Sequence, residues 1–253
     1  LAVSEYTRRT REQTATLLES ISHGHRRAVI AYMDERKADA TLIAQEPLTR
    51  AVVGGTLPAA QREAARAELL RYITKVRGAY GYHNLQLVDA ELRSVLVIQH
   101  DETVTPSVRA SISRTLATGH SAVAPIAFDV MGDLEYGVVA PVFAADGDSL
   151  AGKAPIGAVY AGLNAREQLL TELGSTFAAA WQVEATLLQR SGDSISIFGT
   201  GAGAGETTAP FRISIDDTTY AAARVVRAGV TTASIGRDYR GVMVQAHVEP
   251  VPG

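Results

Sequence analysis

The segment Glu135–Leu170, EYGVVAPVFAADGDSLAGKAPIGAVYAGLNAREQLL, decides the fold. Its first part is an apolar, β-branched run that ends in Ala140-Pro141-Val142-Phe143. A Gly/Asp turn follows, then a second run, Pro155–Leu163, which leads directly into a helical stretch at Ala165–Leu173. Runs rich in Val, Ile and Tyr, separated by turn formers, read as a hairpin. Two more such runs lie upstream, Tyr82–Asp89 and Arg93–Gln99, with a helical stretch at Thr105–Thr118 between the pairs. A third strand ends at Phe128-Asp129. The order strand-strand-helix-strand-strand-strand predicts an α+β unit with an antiparallel sheet.

Working outward, Ser4–Gln45 contains no proline and a single glycine, Gly24. Leu17, Ile21, Ala28 and Tyr32 recur at helical steps, so the spacing predicts one long amphipathic helix ended by Pro47. A second helix is expected over Pro58–Val76, with Pro58 in its first turn, where a missing N–H costs nothing. Beyond the deciding segment, Gln182–Gln189 and Ser194–Phe198 form a second hairpin around Ser191-Gly192. A short strand at Phe211–Ile215, a helix at Thr218–Val226 and a final strand at Arg240–Val248 complete a smaller repeat of the same plan. Both sheets are expected to carry a helix between their second and third strands.

Two segments, A-P-V-F…P-I-G-A-V in the hairpin and D-Y-R-G-V near the end, resemble those of double Cache sensor domains. These are PAS-like ectodomains of bacterial and archaeal receptors. The resemblance implies two PAS-like antiparallel-sheet subdomains carried on the long N-terminal helix. The expected partition is a stalk helix at 1–46, a membrane-distal subdomain at 47–173 and a membrane-proximal one at 174–253. It implies the extracytoplasmic, small-molecule-sensing region of a transmembrane receptor, with a two-component histidine kinase as output. A chemotaxis receptor, a diguanylate cyclase and a non-sensing dimerisation module are the alternatives. The opening at Leu1 without Met and the stop at Val251-Pro252-Gly253 are what a piece of a longer protein would show. Membrane attachment is then expected only through flanking segments, and a homodimer is expected in the full receptor but only weakly in this piece.

Composition bounds the remaining classes. With 46% apolar and 20% charged residues the chain is ordinary for a globular protein. A net charge of −3, without a basic patch, argues against nucleic acid as a partner. The absence of cysteine excludes disulfides and thiolate metal sites. Gly199-Thr-Gly201-Ala-Gly203-Ala204 imitates a dinucleotide loop, but Glu206-Thr-Thr-Ala-Pro210 is a poor helix start. His23 and His25 point to different helix faces, and Asp146-Gly-Asp148 offers too few oxygens for calcium. No catalytic constellation, metal site or cofactor is expected, so the chain is not read as an enzyme.

The candidate ligand site lies in the first sheet. Tyr80, Tyr82 and His83 enter its first strand, Phe128 and Asp129 end the third, Tyr136 lies on the fourth and Tyr160 on the fifth. Alternation along the strands leads us to expect Tyr136, Tyr160 and Asp129 in one cavity. Amino-acid-binding members of the resembling family carry Arg-x-Trp-Tyr near the helix, an aromatic-x-Asp on the third strand and a further Asp after the fifth. Asp129 takes the first Asp position, whereas Ser111–Arg114 offers no Trp-Tyr and Gly162 stands near the second Asp position. The expected ligand is therefore a carboxylate or an uncharged molecule, held by Tyr, His and Arg109 or Arg114.

Overall fold

The computed structural model describes residues 2–98, 104–129, 132–145, 152–171, 173, 183–199, 210–229 and 232–251. Helix α1 (Ala2–Gln45) is continuous, and Pro47 opens the short α2 (Pro47–Val53) instead of simply ending the chain's helical run. The chain divides into two compact units, Tyr32–Gln168 and Leu1–Ala31 with Leu169–Pro252, so α1 supplies residues to both. The turn at Asp146-Gly-Asp148 and the dinucleotide-like string beyond Gly199 lie outside the described residues.

In the first unit, α3 (Ala59–Tyr80) leads through the left-handed Gly81 into β1 (Asn84–Asp89) and β2 (Ser94–Ile98). Helix α4 (Pro106–Thr118) begins where Thr105 accepts a hydrogen bond from Val108 N, with Pro106 at the first helical position. Gly119, at φ 69°, closes it. Strands β3 (Ala122–Phe128), β4 (Leu134–Val142) and β5 (Gly157–Asn164) follow. All pairings are antiparallel, and the order is β2-β1-β5-β4-β3.

The helix between the second and third strands stands where the sequence puts it. Central β4 and β5 are almost continuously buried, which explains their unbroken apolar runs. Val108, Ser111, Ile112 and Thr115, at helical spacing, turn the buried face of α4 inward. Val108 and Ile112 join Val88, Ala124, Val139, Ala158 and Tyr160 in one apolar cluster. Tyr32 of α1 packs against Tyr136 on the opposite face, with ring centroids 6.3 Å apart. After β5 the chain makes a π-helical segment, Ala165–Leu170, where an ordinary helix was expected.

The second unit departs further from expectation. Strands β6 (Thr186–Ser191), β7 (Ser194–Gly199) and β8 (Phe211–Ser214) form one antiparallel sheet, with a two-residue turn at Gly192-Asp193. Helix α5 (Ala221–Ala228) then precedes a separate hairpin, β9 (Thr232–Arg237) and β10 (Met243–Val248). The helix thus follows the third described strand rather than the second, and β9 was not expected at all. Its sequence, Thr-Ala-Ser-Ile-Gly-Arg, has little apolar alternation to announce it.

The D-Y-R-G-V segment proves to be the turn of this hairpin. Asp238 Oδ1 accepts from Arg240 N and Val242 N, and Gly241 takes φ 81°. Tyr239 donates to Glu184 Oε1 at 2.6 Å, and Arg240 reaches Glu184 Oε2 at 2.8 Å. Burial first, then that bond to Glu184, push the Tyr239 hydroxyl up to about 12. Arg26 of α1 donates to Pro250 O at 2.8 Å, fixing the end of this segment to the helix within the same unit.

Two glycines test this packing. A Cβ on Gly157 would stand 2.2 Å from Val88 O and 2.4 Å from Val53 Cγ1. Gly157→Ala should therefore lower the unfolding free energy by about 1–3 kcal/mol in urea titrations, as overpacking does. Gly24 is exposed in the middle of α1, and a Cβ there meets nothing within 4 Å. Gly24→Ala should raise stability by roughly 0.5–1 kcal/mol. The opposite ordering of the two variants would contradict the register of β5 on β1.

Candidate ligand-binding site

Strand register decides which of the expected residues meet. Tyr136 pairs with Leu163 and Val139 pairs with Tyr160 across β4 and β5. Paired residues share a face and successive residues alternate, so Tyr136 and Tyr160 lie on opposite faces of the sheet. The expectation that they converge with Asp129 in one cavity is corrected accordingly. Tyr136 faces α1. Tyr160 faces α4 together with Glu135, Gly137 and Gly162.

The other expected residues divide in the same way. Tyr82 is buried and donates to Asp39 Oδ2 at 3.3 Å, and Arg36 pairs with the same Asp39 at 3.1 Å. Arg36 also lies over the rings of Tyr32 and the half-exposed Tyr80, 5.4 Å and 5.9 Å from their centroids. These tyrosines fasten the end of α3 and the start of β1 to α1. Arg109 and Arg114 are exposed on α4, away from its buried stripe. Phe128 pairs with Leu134 across β3 and β4 and is partly exposed.

His83, Asp129 and Tyr160 do come together, and they do so around two carboxylates that sequence reasoning missed. His83 N donates to Gly162 O at 2.8 Å, which fixes the residue at the entrance to β1. Its Nε2 lies 3.3 Å from Asp129 Oδ2 and 3.8 Å from Asp133 Oδ2. Asp129 Oδ1 accepts from Asp133 N at 2.8 Å, and Asp129 N donates to Asp133 O at 2.9 Å. Those bonds close the connection from β3 to β4 and aim Asp129 at the sheet. A bulge between Ala124 and Ala127 adjusts the register just before, setting Ala127 opposite Glu135.

Glu135 is the centre of the arrangement. It is 7% exposed, and Tyr160 donates to its Oε1 at 2.5 Å. Its Oε2 has no hydrogen-bond partner among the described residues. The carboxylate lies over Gly162, where a Cβ would come within 2.5 Å of Oε2. Tyr160 lies likewise over Gly137, where a Cβ would come within 2.3 Å of the ring. Asn84, opposite Gly162 in β1, also has a buried Oδ1 without a partner among the described residues.

Burial raises the Glu135 carboxyl above the ordinary carboxylate range; Asp129 and Asp133 add to the rise, while Tyr160 and His83 oppose it. Burial and then Glu135 hold the Tyr160 hydroxyl well above its ordinary value, so it stays a donor. The signal for Glu135 was in the sequence: it is the one charged residue in the β4 run LEYGVVAPV.

No family model and no curated protein matches the chain. Among solved structures it is similar to the sensory domain of the Campylobacter jejuni chemoreceptor Tlp3 (CcmL), determined with isoleucine bound. That likeness has 15% identity and a TM-score of 0.55, covering 79% of this chain and 76% of that one. A second similar structure is the V. cholerae histidine kinase DctB sensor domain. There the identity is 17% and the TM-score 0.44, and the chain covers 58% of that domain with 64% of its own length. The Tlp3 likeness shows the fold: a long N-terminal helix with antiparallel sheets.

The buried carboxylate sets a pH dependence. A group whose folded-state pKa is raised contributes its full stability while protonated and loses it as pH rises through that raised value. Glu135→Gln keeps an oxygen for Tyr160 and cannot ionise. Facing the same His83, Asp129, Asp133 and Tyr160, the variant should gain stability over the parent as pH rises from about 4 to about 8. A constant difference across that range in thermal melts would mean that Glu135 titrates as a solvated carboxyl.

Proposed function

We propose that the chain is the extracytoplasmic, small-molecule-sensing region of a transmembrane signal-transduction receptor. The observation that carries this reading is the polar cluster of His83, Asp129, Asp133, Glu135 and Tyr160. It lies on the α4 face of the first sheet, in a fold shared with a chemoreceptor sensory domain. No described helix is long and apolar enough to cross a membrane. On this reading, membrane attachment and the output domain, a histidine kinase or a chemotaxis signalling domain, belong to flanking segments.

The cluster also bears on the ligand. The expected carboxylate ligand would draw on Tyr, His and Arg109 or Arg114, and both arginines are exposed on α4, off its buried stripe. Near His83 the described groups are carboxylates and a phenol. Such a set favours a ligand that brings a positive charge or hydrogen-bond donors. The Tlp3 domain was determined with isoleucine bound, and an amino acid carries such an ammonium group. Glu135 leaning over Gly162 supplies an acid near the position where amino-acid-binding members carry their second Asp. Binding would act by differential affinity for two arrangements of the domain, which the long helix transmits.

Thermal-shift screening in EDTA tests this. Amines or amino acids should raise the melting temperature, simple carboxylates should not, and Asp129→Asn should abolish the rise. A library that leaves the melt unmoved, or a shift indifferent to Asp129→Asn, would sink the assignment of this face. The receptor reading also places two copies side by side with parallel N-terminal helices, held weakly by α1 alone. Sedimentation should show monomer at micromolar concentration, and a leucine zipper fused in register before Leu1 should drive dimerisation. A tight dimer unaffected by the zipper would favour a structural module instead.

A further inference from the structure

We propose that His83, Asp129 and Glu135 form a binding site for a divalent metal ion of the zinc class. One donor atom from each residue lies within 4.8 Å of the other two. Donors stand ~2.0–2.2 Å from such an ion, and around a tetrahedral ion they lie about 3.3–3.6 Å from one another. Closing this set around one ion therefore takes side-chain rotations that bring the donors nearer by up to about an ångström. The three residues come from the start of β1, the end of β3 and β4, so the sheet itself holds the donors together.

A second, independent observation singles out Glu135. Its side chain is more than nine-tenths buried, one oxygen is held by Tyr160, and the other is unpartnered among the described residues. A buried carboxylate oxygen without a partner is costly, and a cation beside it removes that cost. The Tyr160 hydroxyl meanwhile fixes the carboxylate plane, as outer partners of metal ligands do. Asp133 Oδ2, 3.8 Å from His83 Nε2, stands ready as a further oxygen donor.

The donor chemistry selects among ions. Magnesium and calcium take oxygen ligands, whereas an imidazole nitrogen beside carboxylates suits zinc, nickel or iron. Two carboxylates also match the charge of a divalent ion. A histidine–carboxylate contact elsewhere, on α1, fits a cation poorly. At His23 and Glu249, 3.5 Å apart, the guanidinium of Arg26 already lies 3.8 Å from the same Glu249 oxygen. The inference rests on the reading of the α4 face as a ligand site and names an ion as one ligand of that site.

The test uses the chain stripped with chelator and then dialysed against zinc chloride, with bound metal counted by mass spectrometry. One equivalent should bind, and excess magnesium should not displace it. His83→Ala and Glu135→Gln should each weaken binding by roughly tenfold or more, since losing even an outer partner of a ligand costs that much. Glu135→Gln retains the Tyr160 contact, so its thermal melt separates loss of metal from loss of fold. Binding well below one equivalent, or one equivalent unchanged in both variants, would overturn the site. If zinc fails while an amine still shifts the melt in EDTA, only the ion is wrong. If both fail, the reading of this face fails with it.

Discussion

The pairing of β4 with β5 governs the first unit. Setting Val139 opposite Tyr160, and Gly137 opposite Gly162, assigns every side chain in the centre of the sheet to one of two faces. A slip of β4 by one residue along β5 would turn Glu135 toward α1 and Tyr136 toward α4, setting the carboxylate against the tyrosine-lined face. The two glycines make the register specific. Gly137 leaves room for the Tyr160 ring and Gly162 for the Glu135 carboxylate, positions where any Cβ would collide. Shape and charge thus constrain the same alignment.

The two faces of that sheet do different work. Toward α1, Tyr32, Arg36, Asp39, Tyr80 and Tyr82 form a lattice of ring contacts, one ion pair and one phenol–carboxylate bond. These groups bond mainly to one another and tie α1 to the sheet, although Arg36 Nε and the Tyr136 hydroxyl are buried without a hydrogen-bond partner among the described residues. Toward α4, an apolar floor of Val88, Val108, Ile112, Val139 and Ala158 ends abruptly at a phenol and several carboxylates. Here the unpartnered Glu135 Oε2 stands among other carboxylates, and polar groups converging beside an apolar floor are the usual form of a recognition surface.

Much of this was legible in the residues. The succession of strands and helix in the first unit, the helical stretch Thr105–Thr118 and the long α1 follow from periodicity and turn chemistry, all local in sequence. Of the candidates named from the sequence, His83, Asp129 and Tyr160 lie near one another, around Glu135. What failed depended on pairing between distant segments. The faces of Tyr136 and Tyr160 depend on where the hairpin register falls, which the intervening Gly/Asp turn does not reveal. Arg109 and Arg114 looked like anion donors because the buried stripe of α4 was not read as Val108, Ser111, Ile112 and Thr115. Strand β9 was hidden because a small, polar six-residue segment gains its strand character from its partner β10, not from itself.

The irregularity of β3 has a meaning beyond the site it shapes. β3 is the outermost strand on its side of the sheet, and Pro125, exposed within the bulge, removes a backbone donor there. An open edge normally offers a ladder of donors and acceptors to any extended chain that drifts past, and bulges and prolines are common ways of spoiling it. This border is therefore ill suited to recruiting a neighbour's strand or to seeding sheet-on-sheet growth. The same bulge that sets Ala127 opposite Glu135 also helps keep a crowded population of such domains from knitting together.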